Sequence, residues 1–553
     1  MKKWVILNKS KISHLKSQKS IDKILDILLK NRGIKTKKEV DGFLSPKLET
    51  VTIKNVEINP KDLDKTLKRI KIAIEEKQQI IVFGDYDVDG ISGAAILWET
   101  LNSLGAKVLP YIPNRIEEGY GISLSSISNL KSQISNIKLI ITVDNGIVAN
   151  EAVDFANKNG IDVIITDHHV PSKLLPNAYS IIHTTKLCGA GVAYLLAQNI
   201  KYSKDDDHLE LVALATIADL VPLTYANRTL VKFGLEKLKN TQRLGLISLF
   251  KEAGIDKDKI GVYEVGHIIA PRLNAMGRLE SAMDSLRLIC TTSGKRALEL
   301  ARKLSSTNLE RQKFTQEAIM HASAAVNKRQ LTKNIIFIAH ENYQQGIIGL
   351  VAGKLVEQYY LPSIVVSKGK QYSKASARSI SGLNIIEFIR SASDLLVDAG
   401  GHPMAAGFTV ETAKLIQLKE RFEDLALIKV TKQMLSRTLR IDCELPPEHI
   451  TLDFYNSLLK LSPFGMANPI PVFATKKMAV DDFRTIGQDN RHLKLKLKSK
   501  DKVFEAIGFG MGEKASKIKT GKLVDIVYTI DENVWNDKKS LQLKIKDIKL
   551  TIN

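Results

Sequence analysis

The chain has 553 residues, of which 44% are hydrophobic and 25% charged, as is ordinary for a folded soluble protein. This length exceeds what one hydrophobic core organises, so we expect several domains. The three cysteines form no CxxC pair, which argues against a disulfide framework or a thiolate zinc site. No apolar run is long enough for a bilayer span or a signal peptide, so we expect a cytoplasmic protein with no membrane association.

The chain is strongly basic, with 81 Lys and Arg against 60 Asp and Glu and a net charge of +21. One explanation is a lysine-rich surface that is only solvated. The other is a polyanionic partner such as nucleic acid. Composition alone leaves both open.

Residues 1–60 form a Lys- and Ser-rich, partly helical lead-in whose role the sequence does not indicate. From residue 61 to 294, short apolar runs alternate with helical patterns, which is typical of a parallel α/β sheet. Four polar segments each follow a hydrophobic run: Gly84-Asp85-Tyr86-Asp87-Val88-Asp89-Gly90, Val143-Asp144-Asn145-Gly146, Asp167-His168-His169 and Thr216-Ile217-Ala218-Asp219.

The first three of these segments begin where predicted strands end, and ligand sites of open α/β sheets lie beyond the carboxyl ends of the strands. Any one Asp could be a turn or N-cap residue. Three clustered carboxylates (Asp85, Asp87, Asp89) would repel one another without a cation, and carboxylates with an imidazole suit Mg²⁺ or Mn²⁺. We therefore predict a two-metal hydrolytic site in which Asp144 bridges the ions and His168 and Asp219 complete the second.

Two predicted loops carry arginines. Residues 110–121 are punctuated by Pro and Gly, and their Arg115 is either a phosphate contact or a surface residue. Residues 271–279 carry Arg272 and Arg278. A helix without Gly or Pro is predicted for 295–330, about 50 Å long, and a second α/β unit for 331–435, ending in the Gly-rich stretch 399–408.

Residues 436–553 shift to alternating strands. Strict period two from Leu493 to Lys498 places leucines on one side and lysines on the other. This favours an antiparallel OB-like β-barrel. Residues 491–522 hold ten Lys or Arg and three acidic residues. That excess is either a solvated face or a surface for the nucleic-acid backbone, and its size favours the second.

With these motifs, the chain from about residue 60 onward resembles the DHH phosphoesterase superfamily and, within it, the RecJ family of single-strand-specific 5′→3′ DNA exonucleases. Further matching segments are Arg272-Leu273-Asn274-Ala275-Met276-Gly277-Arg278 and Gly400-Gly401-His402. The resemblance implies a parallel-sheet DHH domain, joined by a long helix to a smaller α/β DHHA1 domain and followed by the barrel.

The resemblance also implies roles for individual residues. Asp85 and Asp144 would hold one Mn²⁺ or Mg²⁺ ion, and Asp87, Asp144, His168 and Asp219 the other. His169 would face the scissile phosphate, with Asp89 and Asp167 in support and His402 near the scissile bond. A terminal 5′-phosphate would be held by Ser376, Arg378 and Ser379, with Arg115 and one of Arg272 or Arg278 assisting.

Three segments depart from the family pattern: Tyr343-Gln344-Gln345-Gly346, where relatives often carry Trp-His-Pro-Gly; His183-Thr184-Thr185; and Ala215 in place of a usual glycine. None removes an implied ligand, so we expect activity. The expected reaction degrades single-stranded DNA to 5′-mononucleotides in DNA repair and recombination, beside a single-strand-binding protein and a RecQ-type helicase. The alternatives are a DHH-type phosphodiesterase of small molecules or oligoribonucleotides, and a catalytically silent nucleic-acid scaffold.

Overall fold

The structure, a computed structural model, describes residues 2–10, 12, 18–115, 117–201, 207–328, 333–535 and 538–551. The chain divides into two compact units. The larger comprises Leu48–Val221 and Thr229–Ser436. The smaller comprises Met1–Lys47, Pro222–Arg228 and Arg437–Asn553. None of the helices in the described ranges is both long and apolar enough to cross a membrane.

Strands and helices alternate through the larger unit and strands dominate the smaller one. The strands are β1 (Lys3–Asn8), β2 (Gln79–Phe83), β3 (Val108–Tyr111), β4 (Ile137–Val143), β5 (Asp162–Asp167), β6 (Ser180–His183), β7 (Ile336–His340), β8 (Ser363–Ser367), β9 (Tyr372–Arg378), β10 (Leu396–His402), β11 (Ala405–Glu411), β12 (Thr438–Glu444), β13 (Phe473–Ile486), β14 (His492–Ser499), β15 (Lys502–Gly508), β16 (Leu523–Trp535) and β17 (Lys538–Leu550).

The helices are α1 (Gln18–Asn31), α2 (Lys37–Leu44), α3 (Pro60–Glu75), α4 (Val88–Ser103), α5 (Leu124–Gln133), α6 (Asn150–Lys158), α7 (Gly189–Lys201), α8 (Leu209–Ala218), α9 (Tyr225–Lys239), α10 (Leu244–Glu252), α11 (Val262–Glu264), α12 (Ala270–Leu279), α13 (Met283–Cys290), α14 (Gly294–Lys328), α15 (Ile348–Tyr359), α16 (Ile385–Arg390), α17 (Leu415–Lys429) and α18 (Leu452–Leu459). A π-helical turn, Val265–Ile269, precedes α12.

The first sheet of the larger unit has the order β3-β2-β4-β5-β6, and every pair in it is parallel. Its central strands are continuous apolar runs, and all five residues of β2 are buried. Such runs suit a parallel sheet that helices cover on both faces. The predicted parallel α/β domain is therefore confirmed.

The second sheet has the order β10-β11-β9-β8-β7, in which β7 and β8 are parallel and the other pairs antiparallel. The predicted connecting helix is present as α14, with 35 residues that correspond to about 52 Å; the predicted end of that helix, residues 329–330, lies outside the described part of the chain.

The loop predicted for residues 271–279 is wrong, because these residues form α12. Pro271 suggested a loop, but it lies just after the π-helical turn Val265–Ile269. The hydrogen-bond pattern of the helix changes at that turn, and a residue without an N–H is accommodated there.

In the smaller unit, five strands close into a barrel in the order β13-β14-β15-β17-β16, with β16 pairing again with β13. The OB-like barrel is thus confirmed, although one of its pairs, β15 with β17, is parallel. Leu493, Leu495 and Leu497 are buried and the lysines between them are not, as the period-two pattern predicted.

The start of the chain is part of the smaller unit, since β1 pairs in parallel with β12, which continues to β13. Arg228 is also buried in this unit. Its guanidinium donates to the carbonyl oxygens of Phe43, Leu461 and Ser462 at 2.7–2.9 Å. The sequence gives no sign of either association.

Candidate metal centre and adjoining cavity

The predicted acidic residues lie where the strand order of the parallel sheet reverses. The chain runs from β2 outward to β3 and then returns to β4 on the other side of β2. Asp85 and Asp87 follow β2, and Asp144 follows β4. A reversal of this kind leaves a crevice beyond the strand ends, which is where open α/β sheets bind ligands.

The N-terminus of α4 fixes two of these carboxylates. Asp87 is its N-cap residue and accepts hydrogen bonds from the backbone N–H groups of Asp89 and Gly90. Asp89 is buried and accepts from the N–H groups of Gly189 and Ala190, both at 2.7 Å, which anchors the start of α7. A Cβ at position 90 would lie 2.4 Å from the Asp85 nitrogen, so only glycine fits there.

Asp144 lies in a tight left-handed turn after β4. Its φ is +63°, an uncommon value for a residue with a side chain. Its backbone N–H donates to Thr166 O in the neighbouring strand at 2.9 Å. A Cβ at position 189 would lie 2.6 Å from the Asp144 Cβ, so Gly189 allows α7 to approach this turn. The strained conformation turns the Asp144 carboxylate back toward Asp85 and Asp87.

The two histidines after β5 have different surroundings. Nε2 of His168 lies 3.0 Å from Asp144 Oδ1, 3.6 Å from Asp89 Oδ2 and 3.7 Å from Asp219 Oδ2. Nδ1 of His169 lies 2.8 Å from Asp167 Oδ1, and its Nε2 is 3.2 Å from the Tyr120 hydroxyl. His168 thus points into the carboxylates, whereas His169 is held by Asp167 beside them.

The ligand atoms fall into three overlapping groups, each with its members within 4.8 Å of one another: Asp85, Asp87 and Asp144; Asp89, His168 and Asp219; and Asp144, His168 and His169. The first two groups divide the five predicted ligands between two adjacent positions, and Asp87 lies with Asp85 and Asp144 rather than, as the resemblance had implied, with His168 and Asp219. Asp89 belongs to the second group although the sequence suggested only a supporting role. Asp144 belongs to two groups, as expected of a bridging ligand.

The electrostatics of the cluster favour a bound cation. Burial raises the pKa of Asp85 well above its usual range, and the charge of Asp87 adds to the rise. Burial and the charges of four neighbouring carboxylates likewise raise the pKa of Asp144 well above its usual range. For Asp219, burial and the charges of Asp89 and Asp87 raise the pKa to about 8. Buried Oδ1 of Asp85 accepts no hydrogen bond from any described residue.

Five carboxylates and an imidazole, crowded together with an unpartnered buried oxygen, form a donor set that fits hard divalent cations such as Mg²⁺ and Mn²⁺. A buried group of like charges is unfavourable unless a counter-ion neutralises it. The residues present therefore fit the predicted metal centre.

A cavity of about 410 Å³ adjoins this cluster, and three guanidiniums line it: Arg115, Arg278 and Arg378. None of the three forms an ion pair within 4.0 Å with a carboxylate in the described ranges. Burial lowers the pKa of Arg278 to about 10, and the charges of Arg115, Arg311 and Arg378 add to the effect. A cavity with three unpaired cations suits an anionic ligand with several charges, such as a phosphate monoester.

The structure distinguishes among the residues predicted for phosphate binding. Ser376 lines the cavity and accepts from Arg378 Nη1 at 3.1 Å. Arg272 does not line it and donates to Ile268 O at 2.8 Å, so of the two candidate arginines Arg278 is the one in the cavity. Ser379 is buried and its hydroxyl donates to Leu383 O at 2.7 Å. Its side chain therefore faces away from the cavity.

Two tyrosines that the sequence did not single out connect the cluster with the cavity. Tyr86 and Tyr120 both line the cavity. The Arg115 guanidinium lies over the Tyr86 ring, 4.9 Å from its centre. Tyr120 donates to Asp144 O and contacts His169 Nε2, both at 3.2 Å. Their positions inside Gly-Asp-Tyr-Asp and Gly-Tyr-Gly motifs were the available signal.

The second sheet contributes His402, whose ring stacks with that of His169 at a centroid distance of 6.3 Å and an angle of 16°. The segment 343–346, which differs from the family pattern, also contributes residues to the cavity. Gly346 O accepts from Arg278 Nη1 at 3.0 Å, and Gln345 lines the cavity. Tyr343 is buried and hydrogen-bonded to His321 Nδ1 at 2.7 Å. The substituted segment therefore retains a contact with a cavity arginine.

Comparison with known proteins agrees with this arrangement. Residues 79–220 match the DHH family, N-terminal domain; residues 331–427 match the DHHA1 domain; and residues 441–547 match the RecJ OB domain. A parallel sheet with an Asp/His cluster at its carboxyl edge, followed by the DHHA1 domain, defines a phosphoesterase of the DHH class.

The single-stranded-DNA-specific exonuclease RecJ of Bacillus subtilis is 36% identical over 551 residues, which span 98% of this chain and 70% of that protein. The Haemophilus influenzae protein of the same name is 30% identical over 94% of this chain and 95% of its own length. The structure of Thermus thermophilus RecJ in complex with Mn²⁺ matches with a TM-score of 0.83 at 28% identity, covering 100% of this chain and 80% of that one. The chain belongs to the RecJ family.

Proposed function

We propose that the protein is a metal-dependent exonuclease that degrades single-stranded DNA in the 5′→3′ direction to 5′-mononucleotides, in DNA repair and recombination. The observation that carries the proposal is the adjacency of a carboxylate-imidazole cluster and a cavity lined by unpaired guanidiniums. Tyr120 belongs to both, since it lines the cavity and contacts His169. A hydrolytic centre beside a phosphate-binding cavity suits removal of nucleotides from one end of a strand.

Asp85, Asp87 and Asp144 would hold one Mn²⁺ or Mg²⁺ ion, and Asp144, His168 and Asp219 the other, with Asp89 beside the second. Bound divalent cations supply a nucleophile from water near neutral pH and offset the charge that develops on a phosphoryl group. RecJ from Thermus thermophilus has been solved with Mn²⁺ and with Mg²⁺, which supports the same choice of ions here.

Asp167 fixes the orientation of the His169 ring. Asp167 Oδ1 accepts from the His169 side chain and from the backbone N–H groups of His168 and His169. Burial alone would lower the pKa of His169, but the hydrogen bond and charge of Asp167 outweigh burial and raise it. With Nδ1 fixed in this way, the protonated ring would offer its Nε2–H, which lies 3.2 Å from the Tyr120 hydroxyl, to a phosphate oxygen.

The direction of degradation follows from the cavity. Arg115, Arg278, Arg378 and the Ser376 hydroxyl suit a terminal phosphate, which carries more charge than an internucleotide phosphate. Holding that terminus places the next phosphodiester at the carboxylate cluster. The 5′-mononucleotide leaves, and the new end carries a phosphate that can enter the same cavity. The stacked pair of His169 and His402 lies beside the carboxylate cluster, where that next phosphodiester would lie.

The barrel favours a polymer over a small substrate. Lys496 and Lys498 are exposed on β14 and alternate with buried leucines. Neither of these two lysines forms an ion pair with a described residue, and cations along a strand suit the backbone of single-stranded DNA. A phosphodiesterase acting on small molecules has no need of such a surface. The assembled carboxylates likewise disfavour a catalytically silent scaffold.

From the family resemblance we also propose a cytoplasmic location, which the free cysteines of the chain suit, and cooperation with a single-strand-binding protein and a RecQ-type helicase.

The test of the central proposal uses oligonucleotides of one sequence, labelled at the 5′ or the 3′ end, with Mn²⁺, Mg²⁺ or EDTA. We expect labelled mononucleotide from the 5′-labelled strand at the earliest time and only with metal. Early release from the 3′ end, or cleavage of duplex DNA at the same rate, would contradict the proposal.

A further inference from the structure

The second sheet of the larger unit ends at β7, whose only partner among the described residues is β8. Ile336 N donates to Pro362 O at 2.9 Å, and His340 O accepts from Lys368 N at 3.1 Å. Alternate residues of a strand direct their main-chain groups to opposite sides, so Phe337 and Ala339 direct theirs away from β8. Ala339 is exposed. Among the residues that the structure describes, none pairs with the outer edge of β7, and we refer to it below as the open edge.

Two helices stand on either side of this open edge. Ile336 packs against α14 in a core cluster with Ala322 and Val326. Phe337 packs on the other face against Phe422 of α17, with ring centroids 6.3 Å apart. The space between the helices is a groove of about 1110 Å³ with β7 along its floor. Ile416 of α17 lines it with 74% of its surface exposed, so this wall presents an apolar side chain to the groove.

The groove carries positive charge. Four lysines line it (Lys333, Lys368, Lys370 and Lys419) against one acidic residue, Glu423. Lys333 and Lys419 have acidic neighbours in Asp424 and Glu423. Lys368 and Lys370 are exposed and form no ion pair with a described residue. Because Lys368 N bonds to His340 O, these two unpaired charges lie at the C-terminal end of β7.

We propose that the open edge of β7 binds an extended acidic peptide segment of a partner protein. The segment adds as a sixth strand, places apolar side chains between α14 and α17, and places carboxylates on Lys368 and Lys370. Unpaired strand amides and carbonyls are complementary to a peptide backbone, whereas nucleic acid offers no such alternation. A second copy of this chain is disfavoured because its own edge would bring the same lysines.

The probe is a fluorescein-labelled peptide of eight residues that alternates Asp and Val, measured by fluorescence anisotropy with the full chain. Two companion probes separate the contributions: the same peptide with Lys for Asp, and the same peptide with every second amide N-methylated. We expect only the unmodified acidic peptide to bind. Hydrogen exchange at Phe337 and Ala339 should slow when it is added.

Three variants complete the test. The double variant Lys368→Glu/Lys370→Glu should weaken peptide binding by about tenfold or more, and Ala339→Pro, which removes an outward N–H at a sheet edge that tolerates proline, should do likewise. Lys429→Glu, an exposed lysine of α17 outside the groove, is the matched control and should bind as the wild type does. Nuclease activity should stay within about twofold in all three.

The proposal is overturned if the wild type does not bind the acidic peptide, or if it binds the N-methylated peptide equally well. It is also overturned if the lysine variants weaken binding of an oligo(dT) probe but not of the peptide, since the groove would then serve DNA.

Discussion

Helix α4 carries buried or half-buried acidic groups near both of its ends, and these groups have different partners at the two ends. Near the N-terminus, Asp87 and Asp89 lie among further carboxylates. Three turns later, Glu99 receives two hydrogen bonds from Arg243, at 2.7 and 2.8 Å, and one from His208 at 2.8 Å. Burial would raise the pKa of Glu99, but the hydrogen bonds from Arg243 and His208 and the charge of Arg243 outweigh it and hold the pKa at about 2.

This contrast indicates a structural role for the Glu99 network and a ligand-binding role for the carboxylate cluster. The Glu99 network meets its charge with groups from the same chain, so it stabilises the fold without a ligand. The cluster at the other end repels itself and raises the pKa of its carboxyl groups. Its missing positive charge must come from outside the chain. The cavity has the opposite excess of charge: its three arginines have no carboxylate partner among the described residues, and a bound phosphate would supply the negative charge.

The largest expected effect comes from the residue shared by two ligand groups. Replacing Asp144 with Asn should lower kcat by about a thousandfold or more, because both ions lose a ligand. Single-turnover release of nucleotides with Mn²⁺ measures it. Glu99→Gln is the matched control, an amide replacing a half-buried carboxylate on α4, and should keep kcat within about twofold. Comparable losses in both variants would remove the distinction between the two regions.

The cavity arginines provide the next test. Arg278→Ala should lower kcat/KM on 5′-phosphorylated single strands by about a hundredfold and should affect 5′-hydroxyl strands much less. Arg272→Ala is the matched control because it removes the same side chain from the same helix, outside the cavity. Equal losses for both variants, or equal losses on both kinds of end, would show that the cavity does not hold the terminal phosphate.

The Glu99 network predicts a pH dependence of stability. The folded pKa of Glu99, about 2, lies below its unfolded value of about 4.5. Its contribution is therefore complete above pH 4.5 and disappears as the pH falls toward 2. With 23% of the side chain exposed, we expect Glu99→Gln to lower the free energy of unfolding by about 2 kcal/mol at pH 7. Urea denaturation measures this difference, which should be nearly absent at pH 2.

The smallest expected effect is on stability, and it tests whether the carboxylates around Asp85 repel one another when no metal is bound. In EDTA, Asp85→Asn should raise the free energy of unfolding by about 1 kcal/mol, because it removes one of several crowded charges. Added Mn²⁺ should stabilise the wild type by about 2.7 kcal/mol at a hundredfold excess over Kd and the variant much less. Thermal unfolding with and without metal measures both. Destabilisation of the variant in EDTA would mean that Asp85 has a partner within the chain.

Much of the site could be predicted because its residues lie in short sequence segments directly after apolar strands. Apolar runs that end in Asp85, Asp144 and Asp167 identify strand ends, and parallel strands bring their carboxyl ends to one edge. The side-chain directions were not predictable. Arg272 and Arg278 lie six positions apart in helix α12, and at about 100° per residue their side chains leave the helix in different directions.

Contacts between distant segments also left no local signal. The pairing of β1 with β12 joins residues more than 400 positions apart. Burial of Arg228 depends on carbonyl groups of Phe43 and residues 460–463, and main-chain oxygens carry no sequence signature.

The most direct test of the account is the number of Mn²⁺ ions bound per chain, measured by titration calorimetry at neutral pH. We predict two ions for the wild type and for Glu99→Gln, and loss of tight binding in Asp144→Asn. A wild type that binds no ion, or an Asp144→Asn variant that still binds two tightly, would contradict the claim that the carboxylate cluster is completed by metal.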